Sequence, residues 1–321
     1  MVLSPNTIYE LFTERCRRVR MLLDGLDAQQ FRIGYAWSDG VFGARELVRE
    51  AQMMMSCNNI PSSVSSAYVS RGSSALSGRF TIFLQPKVDM RTGTLVGAEA
   101  LARLVDQGKT VSIGDVVEQM EQDGTIRELD YFVFDQVLSL LSRWQAEDLK
   151  IVPISANFSR FTLLNSSCPA SVLAILSRYT DVPQGMVEIE LTETACHIES
   201  STLTALMDRI RQFAPRFSLD DFGSHYSNAA VLTRVHFDSV KIDRSLTSGI
   251  VSNPVSQMLV RNIVQICQSC GMTCIAEGVE TRAQIDALLR EGCELCQGYY
   301  FAKPMSVQAF EERYLLHSHK I

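Results

Sequence analysis

Positions 239–277 read SVKIDRSLTSGIVSNPVSQMLVRNIVQICQSCGMTCIAE. A short β-branched run, Ser239 to Ile242, is followed by an amphipathic stretch from Pro254 to Cys270 and a second apolar run from Met272 to Ala276. Apolar residues recurring every three or four positions mark a helix, and short β-branched runs mark strands. A strand, a helix and a strand in that order imply a crossover and parallel pairing. Each run also carries a charged residue at its end, Lys241 in the first and Glu277 after the second.

The unit repeats outward. Further runs lie at Phe80 to Val88, Leu95 to Leu101, Ile151 to Ala156, Met186 to Leu191 and Phe217 to Leu219, with a weak last one at Leu295 to Tyr300. Helical stretches lie at Ile126 to Trp144, Pro169 to Tyr179, Ser201 to Phe213 and Arg282 to Arg290. Eight such runs point to an α/β architecture, a (β/α)8 TIM-like barrel. A doubly wound open sheet is the alternative, but the Gly-x-Gly-x-x-Gly fingerprint after a first strand is absent.

Nearly every run ends on an acid or amide: Glu99, Asn157, Glu190, Asp220 with Asp221, and Glu277, with Lys241 inside the sixth. In such a barrel the C-terminal strand ends gather at one mouth. A single acid there is ordinarily a surface residue or helix cap. Seven polar residues in one phase of the repeat are not explained that way. Carboxylates this close repel unless a cation neutralises them, and an all-oxygen donor set suits Mg2+ or Mn2+ rather than Zn2+. Adjacent Asp220 and Asp221 suit two ions sharing a carboxylate, a pair that activates water for in-line displacement at phosphorus. The residues therefore read as a metal-dependent phosphodiesterase.

The segments Glu99-Ala100-Leu101, Asn157-Phe158-Ser159, Glu190-Leu191-Thr192-Glu193, Asp220-Asp221-Phe222-Gly223, Lys241-Ile242-Asp243-Arg244, Ala276-Glu277-Gly278-Val279-Glu280-Thr281 and Gln297-Gly298-Tyr299 resemble, in order and spacing, the motif set of EAL-domain cyclic di-GMP phosphodiesterases. The resemblance covers about residues 79–318. It implies hydrolysis of one phosphodiester of cyclic di-GMP to linear pGpG with two divalent ions, Mg2+ or Mn2+. By position, Glu99, Asn157, Glu190 and Asp220 would hold the first ion, and Asp220, Asp221 and Glu277 the second. Lys241, Glu277 and Asp221 would act in catalysis, with Lys241 beside the attacking water as base or charge stabiliser. Gln85, Arg103, Asp243 and Gln297 would meet the substrate, and Glu193 and Glu280 would support the loop after the fifth strand. A homodimer is expected by analogy with the family.

Two departures bear on activity. The family loop Thr-Gly-Tyr-Ser-Ser is here Ser224-His225-Tyr226-Ser227-Asn228, so a side chain stands where the family has glycine. If that position needs a positive φ, His225 loosens the loop that positions Asp220 and Asp221. The alternative function is therefore an inactive or weak module that binds the dinucleotide or a protein partner. Leu-Arg-Trp after Glu-Ala-Leu becomes Ala102-Arg103-Leu104, which keeps the arginine.

The whole chain has 321 residues, 46% apolar and 21% charged, with net charge -6. That is a globular composition, and the charge argues against nonspecific DNA binding. No apolar run approaches the ~18 residues of a membrane span and no signal peptide is evident, so the cytoplasm is expected. Nine cysteines at irregular spacings fit a reducing compartment. Residues 62–78, eight of them serine, read as a linker. Residues 1–61 read as a small α/β module weakly similar, in Arg32-Ile33-Gly34-Tyr35-Ala36, to the tail of a GGDEF domain. The cyclase signature is missing, so no cyclase activity is expected.

Other signals are set aside. Cys267-x-x-Cys270 and Cys293-x-x-Cys296 have zinc-ribbon spacing, but the first pair lies in a helical run and the second flanks a strand, where thiols pack as small apolar groups. Gly108-Lys109-Thr110 lacks the partner glycine of a phosphate loop and reads as a turn. His197 and His236 read as surface or cap residues, Met53 to Met55 as core, and Arg15, Arg17, Arg18 and Arg20 as a solvated helix face.

Overall fold

The computed structural model describes residues 76–316 apart from 77, 107–108, 112, 164, 166, 193–199, 212–214 and 225–228. The expected N-terminal module, most of the serine-rich linker, the arginine stripe, Met53 to Met55, Glu193, His197 and His225 lie outside the described residues.

The strands are β1 (Phe80–Asp89), β2 (Leu95–Asp106), β3 (Lys109–Val111), β4 (Ile154–Phe158), β5 (Val187–Thr192), β6 (Arg216–Phe222), β7 (Ser239–Ile242), β8 (Thr273–Glu277), β9 (Leu295–Gln297) and β10 (Met305–Ser306). They form one sheet in the order β10-β1-β9-β8-β7-β6-β5-β4-β2-β3, and the further β1–β2 pairing closes it into an eight-stranded barrel with β3 and β10 outside. Helices α1 (Gly114–Asp123), α2 (Ile126–Ala146), α3 (Arg160–Leu163), α4 (Cys168–Leu176), α5 (Ser200–Arg211), α6 (Arg244–Gly249), α7 (Pro254–Ser269) and α8 (Arg282–Arg290) connect the strands, and α9 (Val307–Phe310) follows β10. Among the described residues no helix is long and apolar enough to cross a membrane.

The eight expected runs make the barrel, with one reversal. β1 runs antiparallel to both β2 and β9. The cause is local: only residues 90–94 join β1 to β2, too few for a crossover. The Asp89 Oδ1 atom accepts from the backbone N–H groups of Arg91 and Thr92 (2.7 and 3.0 Å) and turns the chain into a hairpin. β2 runs on to Asp106 and pairs with β3, so Lys109 and Thr110, expected in a turn, are strand residues. β4 begins three residues late because Pro153 has no N–H for the ladder; its carbonyl accepts from Ala98 instead.

Strand alternation sorts the core into two environments. Ala98, Ala100, Ile154, Ala156, Ile189, Leu191, Leu219, Val240 and Ile242 are buried in the apolar layer beneath the helices. The other face closes on the barrel axis, and there the register aligns polar residues: Gln85 with Glu99, Ser155 with Glu188, Asn157 with Glu190, Glu190 with Ser218 and Ser218 with Ser239. Barrels of this type usually fill that space with branched apolar side chains. Here it is filled by charge.

Asp130, buried on α2, fastens the end of β4. Its Oδ2 atom accepts from the Ser159 N–H at 2.8 Å and from the Thr162 hydroxyl. Burial pushes its carboxyl up to about 6, against the pull of those hydrogen bonds. A raised folded pKa means that the folded state keeps a proton the unfolded chain releases, so this stability is full below about pH 4 and is lost as pH rises through about 6. Asp130→Asn still accepts both hydrogen bonds and should escape the loss. Urea midpoints are expected to favour the variant increasingly from pH 4 to pH 7, by about 2 kcal/mol at the end. A pH-independent difference would refute the assignment.

The cysteines do not group as the zinc-ribbon spacing would have them. The Cys274 thiol contacts those of Cys267 and Cys293, while Cys270 is exposed at the end of α7.

Candidate active site

The C-terminal ends of the parallel strands bring Asn157 (β4), Glu190 (β5), Asp220 and Asp221 (β6), Lys241 (β7), Glu277 (β8) and Gln297 (β9) together, and Glu99 meets them from the middle of β2. Gln85 joins them from β1, opposite Glu99 in the register. Glu99, Glu190 and Asp220 each offer an oxygen within 4.8 Å of the others, and Asp220, Asp221 and Glu277 form a second such group. Asp220 belongs to both.

Alternation alone would send Asp220 and Asp221 to opposite faces of the sheet. The register of β6 with β7 shifts between Leu219 and Phe222, and Asp221 adopts φ +56°, a left-handed conformation that costs a non-glycine residue energy. That kink turns both carboxylates to the mouth. The Asp221 N–H donates to Asp220 Oδ1 at 2.8 Å and holds the turn.

Lys241 stands at the centre, 1% exposed. Its Nζ atom lies 2.8 Å from Glu277 Oε1, 2.9 Å from Glu190 Oε2, 3.0 Å from Asp220 Oδ1 and 3.3 Å from Glu99 Oε2. Burial opposes its charge, but the surrounding carboxylates outweigh burial and hold the ammonium well above its ordinary value. Asp220 moves up strongly, because burial and the carboxylates of Glu277, Glu190 and Glu99 together exceed the help it has from Lys241. Glu277 and Asp221 are also raised, chiefly by burial. Glu190 goes the other way, to about 2, because Lys241 and Lys87 together overcome its burial.

The amides orient the acids. The Asn157 Nδ2 donates to Glu99 Oε1 at 2.9 Å, which leaves its carbonyl oxygen as the acceptor. Gln297 Nε2 donates to Glu99 Oε2 and, at 3.1 Å, to Gln85 Oε1. The glycines after Glu277 and Gln297 have a packing reason. Gly278 has φ +64°, and a Cβ on Gly298 would overlap the Val279 backbone.

The other expected residues are placed less centrally. Arg103 is half-buried over the Phe83 ring, 5.4 Å from its centroid, and its Nη1 donates to the Ala102 carbonyl. Asp243 caps α6 by accepting from the Ser245 N–H at 2.9 Å. Glu280 pairs with Arg244 at 2.9 Å on the surface. Five buried polar residues facing the axis escaped the sequence reading: Lys87, Ser155, Glu188, Ser218 and Ser239. Each lies two positions from a site residue in its strand, so the period-2 pattern already carried them.

A divalent cation fits this donor set. Every atom is a hard oxygen, three of the carboxylates are driven toward protonation by crowding and burial, and the buried Gln297 Oε1 beside Glu99 has no hydrogen-bond partner among the described residues.

The chain is similar to cyclic di-GMP phosphodiesterase PdeR of Escherichia coli, 31% identical over 74% of this chain and 35% of that protein. It is similar to cyclic di-GMP phosphodiesterase RocR of Pseudomonas aeruginosa, 30% identical over 73% of this chain and 59% of that protein. The match thus spans about a third to three fifths of these curated relatives. The solved PaMucR phosphodiesterase in its c-di-GMP complex shares the fold, with TM-score 0.68 at 24% identity, over 77% of this chain and 99% of that one. The EAL domain matches residues 71–304, most of the chain, and with the barrel and its acidic mouth this establishes that the chain belongs to the EAL domain family.

Proposed function

We propose that the chain is a metal-dependent phosphodiesterase that adds water across one phosphodiester of cyclic di-GMP to give linear pGpG. The observation that carries the reading is the pair of carboxylate groups sharing Asp220 around Lys241 at the barrel mouth. The names of the relatives support the substrate.

Glu99, Asn157, Glu190 and Asp220 would hold one divalent cation, and Asp220, Asp221 and Glu277 a second. Bound there, Mg2+ or Mn2+ supplies Lewis acidity to the phosphoryl oxygens and makes a bound water acidic enough to attack. Gln297 and Gln85 keep Glu99 oriented, and the kink at Asp221 keeps the two aspartates convergent. Lys241 is the proton-handling group: its Nζ is buried, and its hold on a proton rises and falls with the charge on the four carboxylates it touches. Arg103 offers a phosphate its remaining guanidinium N–H groups. Asp243 presents its second oxygen to the substrate while the first caps α6. By the same resemblance, Glu193 and Glu280 would support the loop after β6.

The same reading includes a homodimer, a cytoplasmic setting, residues 1–61 as a separate small module and residues 62–78 as its linker. The dimer is supported by a row of exposed apolar residues on one side of α7: Val255, Met258, Leu259 and Ile266, continued by Val251. Static light scattering should give twice the chain mass.

Incubation of pure protein with cyclic di-GMP and Mg2+ or Mn2+, followed by chromatography, tests the activity. Formation of pGpG is expected. Binding of the dinucleotide without pGpG under either metal would make the chain a receptor instead.

A further inference from the structure

Beneath the carboxylates at the mouth lies a second buried lysine that the reaction above does not use. Lys87 enters from β1, the reversed strand, and is 5% exposed. Its Nζ donates to Ser155 Oγ at 2.9 Å, Glu188 Oε1 at 3.0 Å and Glu190 Oε1 at 2.8 Å. The other Glu188 oxygen accepts from the Ser239 hydroxyl at 3.0 Å. A continuous chain of buried polar contacts thus runs from Ser239 through Glu188, Lys87 and Glu190 to Lys241.

The consequence falls on Glu190, whose carboxylate is fully buried. Its two oxygens are divided: Oε1 accepts from Lys87 and Oε2 from Lys241, with the Ser155 hydroxyl also against the carboxylate. Lys241 meets Glu99, Asp220 and Glu277 as well, so it stands among the oxygens a cation would take. Lys87 touches none of those three in the contacts found among the described residues, and stays paired below them.

We propose that Lys87 is a positioning residue that sets which divalent cation the site prefers, by occupying one oxygen of Glu190 so that only Oε2 is offered to the ion. The inference rests on the reading that Glu190 helps hold a divalent cation. Mg2+ demands a compact octahedron of single-oxygen donors, whereas Ca2+ accepts more oxygens and takes carboxylates in bidentate fashion. A carboxylate pinned at one oxygen favours the smaller ion. With Lys87 gone, both Glu190 oxygens become available, and the discrimination against Ca2+ weakens.

Two variants carry the test: Lys87→Met alone, and Lys87→Met with Glu188→Gln, which neutralises the carboxylate that Lys87 would leave behind and keeps the interior in charge balance. Mg2+ and Ca2+ are titrated separately, without nucleotide, by calorimetry and by the cation-induced rise in melting temperature. The ratio of Ca2+ to Mg2+ dissociation constants is expected to fall about tenfold in the double variant, the scale of changes just outside a metal's ligand set. Glu188→Gln alone, which retains Lys87, should keep the wild-type ratio. An unchanged ratio in a folded double variant that still binds both ions overturns the role of Lys87 and leaves the cation site standing. If wild-type protein binds neither ion, or binds both as well after Glu190→Gln, the cation reading of Glu190 falls and this inference falls with it.

Discussion

Glu99→Ala is expected to abolish turnover, with a loss in kcat greater than about 100-fold, since even changes just outside a metal's ligands cost 10- to 100-fold. The carboxylate has three jobs. One oxygen takes the Asn157 amide at 2.9 Å, and the other takes the Gln297 amide and lies 3.3 Å from Lys241. Alanine removes a proposed ligand and also releases the two amides whose orientation depends on it. It leaves Asn157 and Gln297 with donors unpaired in the barrel interior, which compounds the loss. Initial rates of pGpG formation at saturating Mn2+ measure the effect. A near-normal rate would refute the assignment of Glu99 to the cation site.

Lys241→Met separates cation binding from chemistry, because the two should move in opposite directions. The ammonium lies within 3.3 Å of four carboxylates, so its removal leaves those charges buried and uncompensated. Breaking a buried ion pair from one side costs about 3–5 kcal/mol, and the apo melting temperature should fall accordingly. Lys241 also competes with cations for the same oxygens. Without it, Mg2+ and Mn2+ should bind more tightly and raise the melting temperature of the variant more than that of the wild type. Turnover should nevertheless drop by about 100-fold or more, the scale of a lost proton-transfer group. A variant with wild-type kcat would show that Lys241 does not handle the proton, and one with weaker cation binding that it does not share the cation's oxygens.

Much of this site was readable before the fold was known, for a definite reason. Strand-end residues in a parallel barrel share one phase of the repeat, so Glu99, Asn157, Glu190, Asp220, Lys241 and Glu277 could be gathered from position alone, whereas Gln297 is placed by the family resemblance. Lys87 and Glu188 are not legible in this way, because a charged residue in an alternating strand ordinarily marks the face turned to water. The inference fails when a sheet closes on itself, since the face opposite the helices then lies inside. The adjacency of the two aspartates places Asp221 with Asp220; alternation does not. Strict alternation would have pointed it away from Asp220, and only the shifted register and the left-handed backbone at that residue bring both acids to one place.

By itself the sequence determined the succession of strands and helices, the barrel they imply and the strand ends at which the acids would meet, because these depend on periodicity and on short-range chain direction. The tertiary structure alone decided which residues share the axis and how each is paired: the reversed first strand, the convergence of Asp220 and Asp221, and the division of Glu190 between Lys87 and Lys241. Contacts on the axis join residues far apart in the chain, Lys87 to Glu190 over 103 positions and Gln85 to Gln297 over 212, and they exist only once closure of the sheet has removed water from between them.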